Sequence, residues 1–198
     1  MSSDSYTDLL DKGYACLRRS DPDAAQSRFQ HAIESEPGRP QAYFALALAH
    51  LEQGLNEDAK QALEMALCVD PTYVPARAYL GIELLKHYDL DGAQQALDQA
   101  LSDEPTNLLA HMKYGEYYYR LGFYNRSVEV LERGLKGPHG ANEHVVAMAR
   151  QLLTQARQKS KGIILRDPPD PRRLLRLFDH LRLRLTKRIH AAQAAKSS

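Results

Sequence analysis

Three stretches of the sequence repeat one pattern: AQSRFQHAIESEP at residues 25–37, AKQALEMALCVDP at residues 59–71 and AQQALDQALSDEP at residues 93–105. Each begins with an alanine, has a Phe or Leu four residues later and a second alanine three residues after that, and ends in proline. The period is 34 residues. A repeat of this length indicates an array of helix pairs, because one pair cannot bury its apolar face alone and must stack on its neighbours.

The same period extends upstream of these stretches and into a weaker fourth unit. A small residue recurs at Gly13, Ala47, Gly81 and Gly115, where it lets the backbones of two paired helices approach closely. The fourth unit continues with Ser127, Leu131, Gly134 and Pro138, the proline arriving one residue early. Proline ends each unit because it cannot donate a hydrogen bond to a continuing helix.

Turn residues separate the two helices of each predicted unit. Helix N-cap chemistry occurs at Asp21, Asn56, Asp89 and Asn125. Gly54 and Gly122 stand where a first helix must end. Beyond the break at residues 137–140, Asn142 is predicted to cap a last helix of about residues 143–159, with one apolar face formed by Val145, Ala149, Leu152, Leu153 and Ala156.

Together these residues resemble the tetratricopeptide repeat (TPR) family over about residues 6–140. The resemblance implies an all-α fold: a right-handed α-solenoid of about four helix pairs plus a capping helix, followed by a basic C-terminal helix. We expect the solenoid and its capping helix at residues 1–160, a Pro-rich linker at 161–171 and a basic amphipathic helical tail at 172–198.

In this family the first helix of each unit lines a concave surface. The resemblance therefore implies a partner-binding groove lined by Leu10, Tyr14, Leu17, Phe44, Leu48, Leu51, Tyr79, Ile82, Leu85, Met112, Glu116 and Tyr119. Arg18, Glu52, Lys86 and Arg120 would form its rim. An apolar groove with aromatic anchors suits an amphipathic helix or an extended peptide. The alternative for each side chain is inter-helix core, since a shift of one position moves it off the groove.

One partner class of the family is not expected. Members that bind the acidic C-termini of heat-shock chaperones use Lys, Arg and Asn side chains in the groove. The matching positions here hold Leu10, Tyr14, Ala45, Pro75 and Tyr79, none of which can bind a carboxylate through a cation. The resemblance therefore extends to the scaffold and not to that ligand.

Charge divides the chain in two. Residues 1–156 carry 14 Lys and Arg against 22 Asp and Glu, a balance of −8, and residues 157–198 carry 12 against 3, a balance of +9. The tail helix places an apolar stripe opposite its arginines, and the residues expected to dock it are Arg172, Arg173, Leu174, Arg176, Phe178, Leu181, Leu185 and Ile189. Four docking surfaces remain open: the chain's own acidic solenoid, a partner protein, an anionic membrane and nucleic acid.

Little in the sequence favours catalysis. The eight histidines show no metal-ligand spacing, no Gly-rich phosphate loop is present, and Cys16 and Cys68 sit in helical patterns as small core residues. We expect no cofactor, no metal, no small-molecule substrate and no enzymatic activity. The chain opens Met1-Ser2-Ser3-Asp4, without a charged and apolar leader, and has no apolar run of about 20 residues, so a cytoplasmic location is expected.

The sequence thus predicts a scaffold, adaptor, assembly factor or chaperone-like protein that holds a helix or peptide of a protein partner. Two alternatives remain: a structural subunit anchored in a larger complex by its basic tail, and a recruitment factor that docks on an anionic membrane or nucleic acid.

Overall fold

A computed structural model of the protein describes residues 5–137 and 142–161, and within these ranges the chain is helical with no β-strand. The helices are α1 Tyr6–Arg18, α2 Pro22–Ser35, α3 Pro40–Gln53, α4 Asn56–Val69, α5 Val74–Lys86, α6 Leu90–Asp103, α7 Leu108–Arg120, α8 Tyr124–Lys136 and α9 Glu143–Lys161. Apart from Lys161, the predicted linker and tail lie outside the described residues.

The helices stack as consecutive pairs. Each odd-numbered helix from α1 to α7 packs on the helix that follows it, and each of these pairs packs on the next. Helix α9 packs against both α7 and α8 and closes the array. The all-α solenoid of four pairs with a capping helix, expected from the sequence, is confirmed.

Small residues on the first helices determine how closely the pairs pack. A Cβ atom on Gly81 would lie 2.7 Å from Cγ of Leu97, and one on Gly115 would lie 2.5 Å from Cγ of Leu131. Leu97 and Leu131 are fully buried. The 34-residue spacing therefore reflects a packing contact. A large side chain of the second helix packs where the first helix has a glycine.

One turn position adopts the left-handed conformation in all four units. Ser20, Gly54, Tyr88 and Gly122 have φ angles of 57°, 76°, 62° and 81°. These residues follow directly after α1, α3, α5 and α7 or one residue later. Gly54 and Gly122 therefore end first helices as predicted, because glycine adopts this conformation without a Cβ penalty.

The cap predictions are confirmed at two of the four turns. Asp21 accepts a hydrogen bond from the Ala24 amide over 3.1 Å, and Asp89 accepts one from the Gly92 amide over 2.9 Å. The prediction of Asn56 and Asn125 as caps is wrong, since both residues lie inside helices: α4 begins at Asn56 and α8 begins at Tyr124. The cap positions there are Leu55 and Phe123, which offer no side-chain acceptor.

Three further features bear on the predictions. Cys16 is half-buried, whereas Cys68 is exposed on α4, so the prediction of a core cysteine is wrong for Cys68. Asn142 accepts a hydrogen bond from the His144 amide over 2.9 Å at the start of α9. Among the helices described, none combines the length and the apolar character that a membrane span requires.

Candidate protein-binding groove

The first helices of the four units line one cavity, together with the start of α9. It has a volume of about 760 Å³, and its walls include Tyr14 and Leu17 of α1, Phe44 and Leu48 of α3, and Tyr79 of α5. Arg18 and Glu52 lie at its border. The far end is lined by Leu109, Asn142, His144 and Val145.

Aromatic contacts fix the floor of this cavity. The Phe44 ring packs edge-on against Tyr79, with ring centroids 5.3 Å apart, and against Tyr73 at 5.8 Å. Burial raises the pKa of Tyr14 to about 12, so its hydroxyl stays protonated at neutral pH. These rings offer large apolar surfaces with little side-chain freedom to lose on binding.

A second cavity of about 440 Å³ lies between α7 and α9. Its lining is Met112, Glu116, Tyr119, Arg120, Met148 and Leu152. Met112 follows Leu109 by three residues on α7, and Met148 follows Val145 by three residues on α9, so the two cavities continue each other along these helices. The two cavities together are called the groove below.

Three charged side chains form a row along α7: Glu116 and Arg120 line the smaller cavity, and Lys113 lies beside them against the Tyr79 ring. The Lys113 ammonium lies 3.9 Å from the centre of the Tyr79 ring and donates to Glu116 Oε2 over 3.1 Å. Arg120 donates to Glu116 Oε1 through Nε and Nη2, over 2.9 and 2.6 Å. Burial raises the pKa of Glu116, but the two cations outweigh it and hold this pKa below its usual value, so Glu116 is ionised at neutral pH.

The structure brings most of the predicted groove residues together. Of the positions expected from the sequence, the cavities are lined by Tyr14, Leu17, Phe44, Leu48, Tyr79, Met112, Glu116 and Tyr119. Three of the four expected rim residues, Arg18, Glu52 and Arg120, also lie at these cavities.

The remaining predicted positions lie elsewhere. Ile82 and Leu85 are 3% and 8% exposed and pack in the core with Leu97 and Tyr117, so they are packing residues. Leu10 packs on the core between α1, α2 and α3, and Leu51 is half-buried and lines neither cavity.

Lys86 also lies outside the groove. Lys86 pairs with the buried Glu83 over 2.8 Å and donates to Asn56 over 3.0 Å, away from either cavity. The predicted tail-docking residues Arg172, Arg173, Leu174, Arg176, Phe178, Leu181, Leu185 and Ile189 lie outside the described residues.

Sequence reasoning missed the contribution of the last helix to the groove. His144, Val145, Met148 and Leu152 all line it, whereas Val145 and Leu152 were assigned only to the capping face. It also missed Lys113, which binds the groove residue Glu116, although Lys113 follows Tyr79 by one repeat of 34 residues. That spacing was the available signal.

The described residues show no arrangement typical of a metal centre. No group of three or more His, Cys, Asp and Glu side chains within residues 5–137 and 142–161 could hold a metal ion. What the groove offers is apolar surface, aromatic edges and a short row of charges, which are the elements of a protein-interaction site.

Comparisons with known proteins agree on the fold. The tetratricopeptide repeat family model matches residues 10–73 and 80–141. A thermophilic TPR protein of Thermus thermophilus superposes with a TM-score of 0.65 at 20% identity, covering 89% of this chain and 99% of that one. The first TPR of Spaghetti (RPAP3), bound to the HSP90 peptide SRMEEVD, has a TM-score of 0.53 at 19% identity and covers 61% of this chain and 96% of its own.

Among curated proteins, the type IV pilus assembly protein PilF of Pseudomonas aeruginosa is 28% identical over 105 residues, which is 52% of this chain and 42% of PilF. The chain spans about two fifths of the length of the curated relatives it matches. The family match extends over more than half of the sequence. The chain therefore belongs to the tetratricopeptide repeat family, whose members mediate protein–protein interactions.

Proposed function

We propose that this protein is an adaptor, of the assembly-factor or chaperone-like kind, that holds a helix or an extended peptide of a partner protein in the groove. The observation that carries the proposal is the apolar and aromatic lining of the two cavities, which continue each other along α7 and α9. Tyr14, Leu48 and Tyr79 are only half-buried within the chain, so part of each side chain is available to a ligand.

The groove can bind such a ligand mainly through apolar contact. Burying one Leu or Phe side chain of a partner contributes about 1.5–3 kcal/mol before the cost of ordering the peptide. Two or three anchor side chains seated in the cavities would contribute about 3–9 kcal/mol before that cost, so we expect an affinity no tighter than about micromolar. The rings of Phe44 and Tyr79 already hold each other in place, which lowers the ordering cost on this side of the interface.

The relatives support this proposal in general terms. The TPR fold is generally a non-enzymatic interaction scaffold, and the Spaghetti TPR was solved with a chaperone peptide bound. At 19% identity that likeness is one of fold. It therefore supports the proposal that such a scaffold binds a peptide, and it does not support binding of the same peptide. The name of PilF, an assembly protein, favours an assembly role for this chain also.

A peptide-display selection on the full chain tests the proposal. The library presents peptides of about 16 residues, or four helical turns, with Leu, Ile, Val, Phe or Met at helical apolar positions and all other positions randomised. Affinities of the selected peptides are then measured by fluorescence anisotropy for the wild type and two methionine variants. Met148→Glu places a charge in the smaller cavity, and Met65→Glu places the same charge on α4, outside both cavities.

The two methionines form a matched pair because their exposures are 39% and 48%. We expect Met148→Glu to weaken the selected peptides about tenfold or more and Met65→Glu to change their affinity less than about twofold. A selection without binders, or binders that respond equally to both variants, would remove the groove as the binding site.

A second role is proposed for the tail because of the charge division of the chain. Residues 157–198 carry a balance of +9. A chain ending at Lys161 keeps α9 and loses most of this charge. Tail-dependent binding to anionic vesicles or to nucleic acid that falls steeply with salt would support a recruitment function. Binding unchanged by the truncation would remove it.

A further inference from the structure

The charge of the row formed by Lys113, Glu116 and Arg120 differs in sign from that of the solenoid around it. The row has two cations and one carboxylate, whereas the four charged side chains that line the two cavities, Arg18, Glu52, Glu116 and Arg120, are balanced in charge. Residues 1–156 as a whole carry a balance of −8. The row thus adds one positive charge to a groove in which the other two charged side chains, Arg18 and Glu52, offset each other.

The geometry shows which cation a ligand can reach. Both oxygens of Glu116 are occupied, one by Lys113 and the other by Arg120. The Lys113 side chain is only 10% exposed and is covered by the Tyr79 ring, whereas the Arg120 side chain is 46% exposed and lines the smaller cavity. The guanidinium of Arg120 has N–H groups left after binding Glu116, and these can meet a ligand carboxylate.

An entirely apolar ligand would leave this charge poorly compensated. Covering Arg120 removes water from a group whose single carboxylate partner is shared with Lys113. Withdrawing water from an incompletely paired cation is unfavourable, and a ligand carboxylate offsets that cost with charge-assisted hydrogen bonds. Apolar side chains line both cavities: Met112 and Met148 share the smaller one with Arg120, and Leu48 lines the larger one.

We propose that the groove selects an amphipathic partner helix in which one Asp or Glu is flanked on both sides by apolar residues, with its carboxylate on Arg120. This inference rests on the proposed function and specifies its ligand. It separates the ligand from peptides recognised by a terminal carboxylate, because Leu10, Tyr14, Ala45, Pro75 and Tyr79 supply no cation. It also separates the ligand from the chain's own tail, whose balance of +9 has the wrong sign for the row on α7.

The display selection described above provides the test. In peptides selected on the full-chain wild type, we expect Asp or Glu to be enriched at one position between apolar residues. Replacing that acidic residue by Gln is expected to weaken binding to the wild type about tenfold, the usual size of one charge-assisted hydrogen bond. Against Arg120→Met the acidic and Gln peptides are expected to bind within about twofold of each other.

Two further variants control for other effects of losing or gaining charge. Arg150→Met removes an exposed arginine of α9 that lines neither cavity, and it is expected to keep the tenfold preference for the acidic peptide. Glu116→Gln keeps the shape of the side chain and raises the charge of the row, so the preference should increase. Circular dichroism of each variant verifies that the helices are retained.

The outcomes distinguish this inference from the proposed function. Selected peptides that lose affinity on Met148→Glu but show no acidic enrichment, or whose preference survives Arg120→Met, overturn the inference and leave the groove as the binding site. Peptides enriched in Lys or Arg overturn it in favour of a basic ligand such as the tail. Binding that Met148→Glu does not weaken overturns both the inference and the proposed function.

Discussion

The ring of Phe29 lies so close to Gly13 that a Cβ atom on this glycine would be 2.3 Å from a ring carbon. The ring is fully buried and packs edge-on against Tyr14, so it has no room to move aside. Gly13→Ala should therefore destabilise the protein by about 2 kcal/mol, although alanine favours a helix by about 1 kcal/mol. Urea unfolding followed by circular dichroism measures the change.

Gly38→Ala is the control for that substitution. No atom lies within 4 Å of the position of a Cβ on Gly38, so we expect a change below about 0.5 kcal/mol. A Gly13→Ala variant as stable as the wild type would show that the helix pair relaxes freely, and the tight fit would then not account for the glycine.

Tyr88 has a left-handed backbone conformation, which is unfavourable for a residue with a Cβ atom. Its φ is 62° and its side chain is 90% exposed, whereas the equivalent turns after α3 and α7 use Gly54 and Gly122. We expect Tyr88→Gly to stabilise the protein by about 0.5–1 kcal/mol, because the penalty for a left-handed residue exceeds the extra entropy of glycine in the unfolded chain.

A second variant separates the effect of the backbone conformation on stability from the effect of the side chain. Tyr88→Ala removes the ring but keeps a Cβ, so its midpoint in thermal or urea unfolding should stay near that of the wild type. Equal stabilisation by glycine and alanine would contradict the backbone explanation.

His111 makes stability depend on pH. Burial lowers its pKa below the ordinary 6.5, Arg133 lowers it further, and the Pro105 carbonyl, which accepts from Nε2 over 3.0 Å, opposes these effects only in part. The unfolded chain therefore binds this proton more readily than the folded one. Stability is complete above about pH 6.5 and declines as the pH falls through the folded-state pKa of His111.

Unfolding free energies measured between about pH 7.5 and 5 in the wild type and His111→Gln verify this. We expect the variant to be less stable at the upper pH and to lose less stability on acidification. His31→Gln, at an exposed position of α2, should retain the full wild-type slope. Parallel slopes for the wild type and His111→Gln would rule out the histidine as their source.

The hydroxyl of Tyr114 stabilises the contact between α6 and α7. It donates to Asp98 over 2.6 Å and accepts from the Tyr118 hydroxyl over 3.3 Å. Tyr114→Phe removes both bonds and should cost about 1–2 kcal/mol, since one of them is to a carboxylate. Tyr119→Phe serves as control, and a comparable loss there would contradict the assignment. Calorimetry measures both.

The repeat register was predictable from sequence because the spacing of the repeated residues follows from a packing contact. Gly81 occurs 16 residues before Leu97 because the two must meet across a helix pair. The turns were harder to predict, since the register places Leu55 and Phe123 where Asp21 and Asp89 act as caps. A search for cap residues shifts the predicted helix start to the nearest Asn.

The groove was only partly predictable for a related reason. Ile82 occupies the same repeat position as Tyr14 and Leu48, so its place on the first helix was correctly inferred. Whether it reaches the groove depends on the neighbouring helix, and the rings of Tyr114 and Tyr117 pack in one cluster with it. The share of α9 in the lining depends likewise on how the closing helix lies against α7, which no repeat spacing encodes.

The tyrosine cluster around Tyr114 also gives the protein an intrinsic optical probe. The chain contains no Trp, so its near-ultraviolet absorption comes mainly from its 11 Tyr. Tyr114, Tyr117 and Tyr118 lie within 5.8 Å of one another between ring centroids, in a fixed and asymmetric arrangement. Their exciton coupling should give a near-ultraviolet dichroism band that reports melting of the third and fourth units without any label, separately from the far-ultraviolet signal of all the helices.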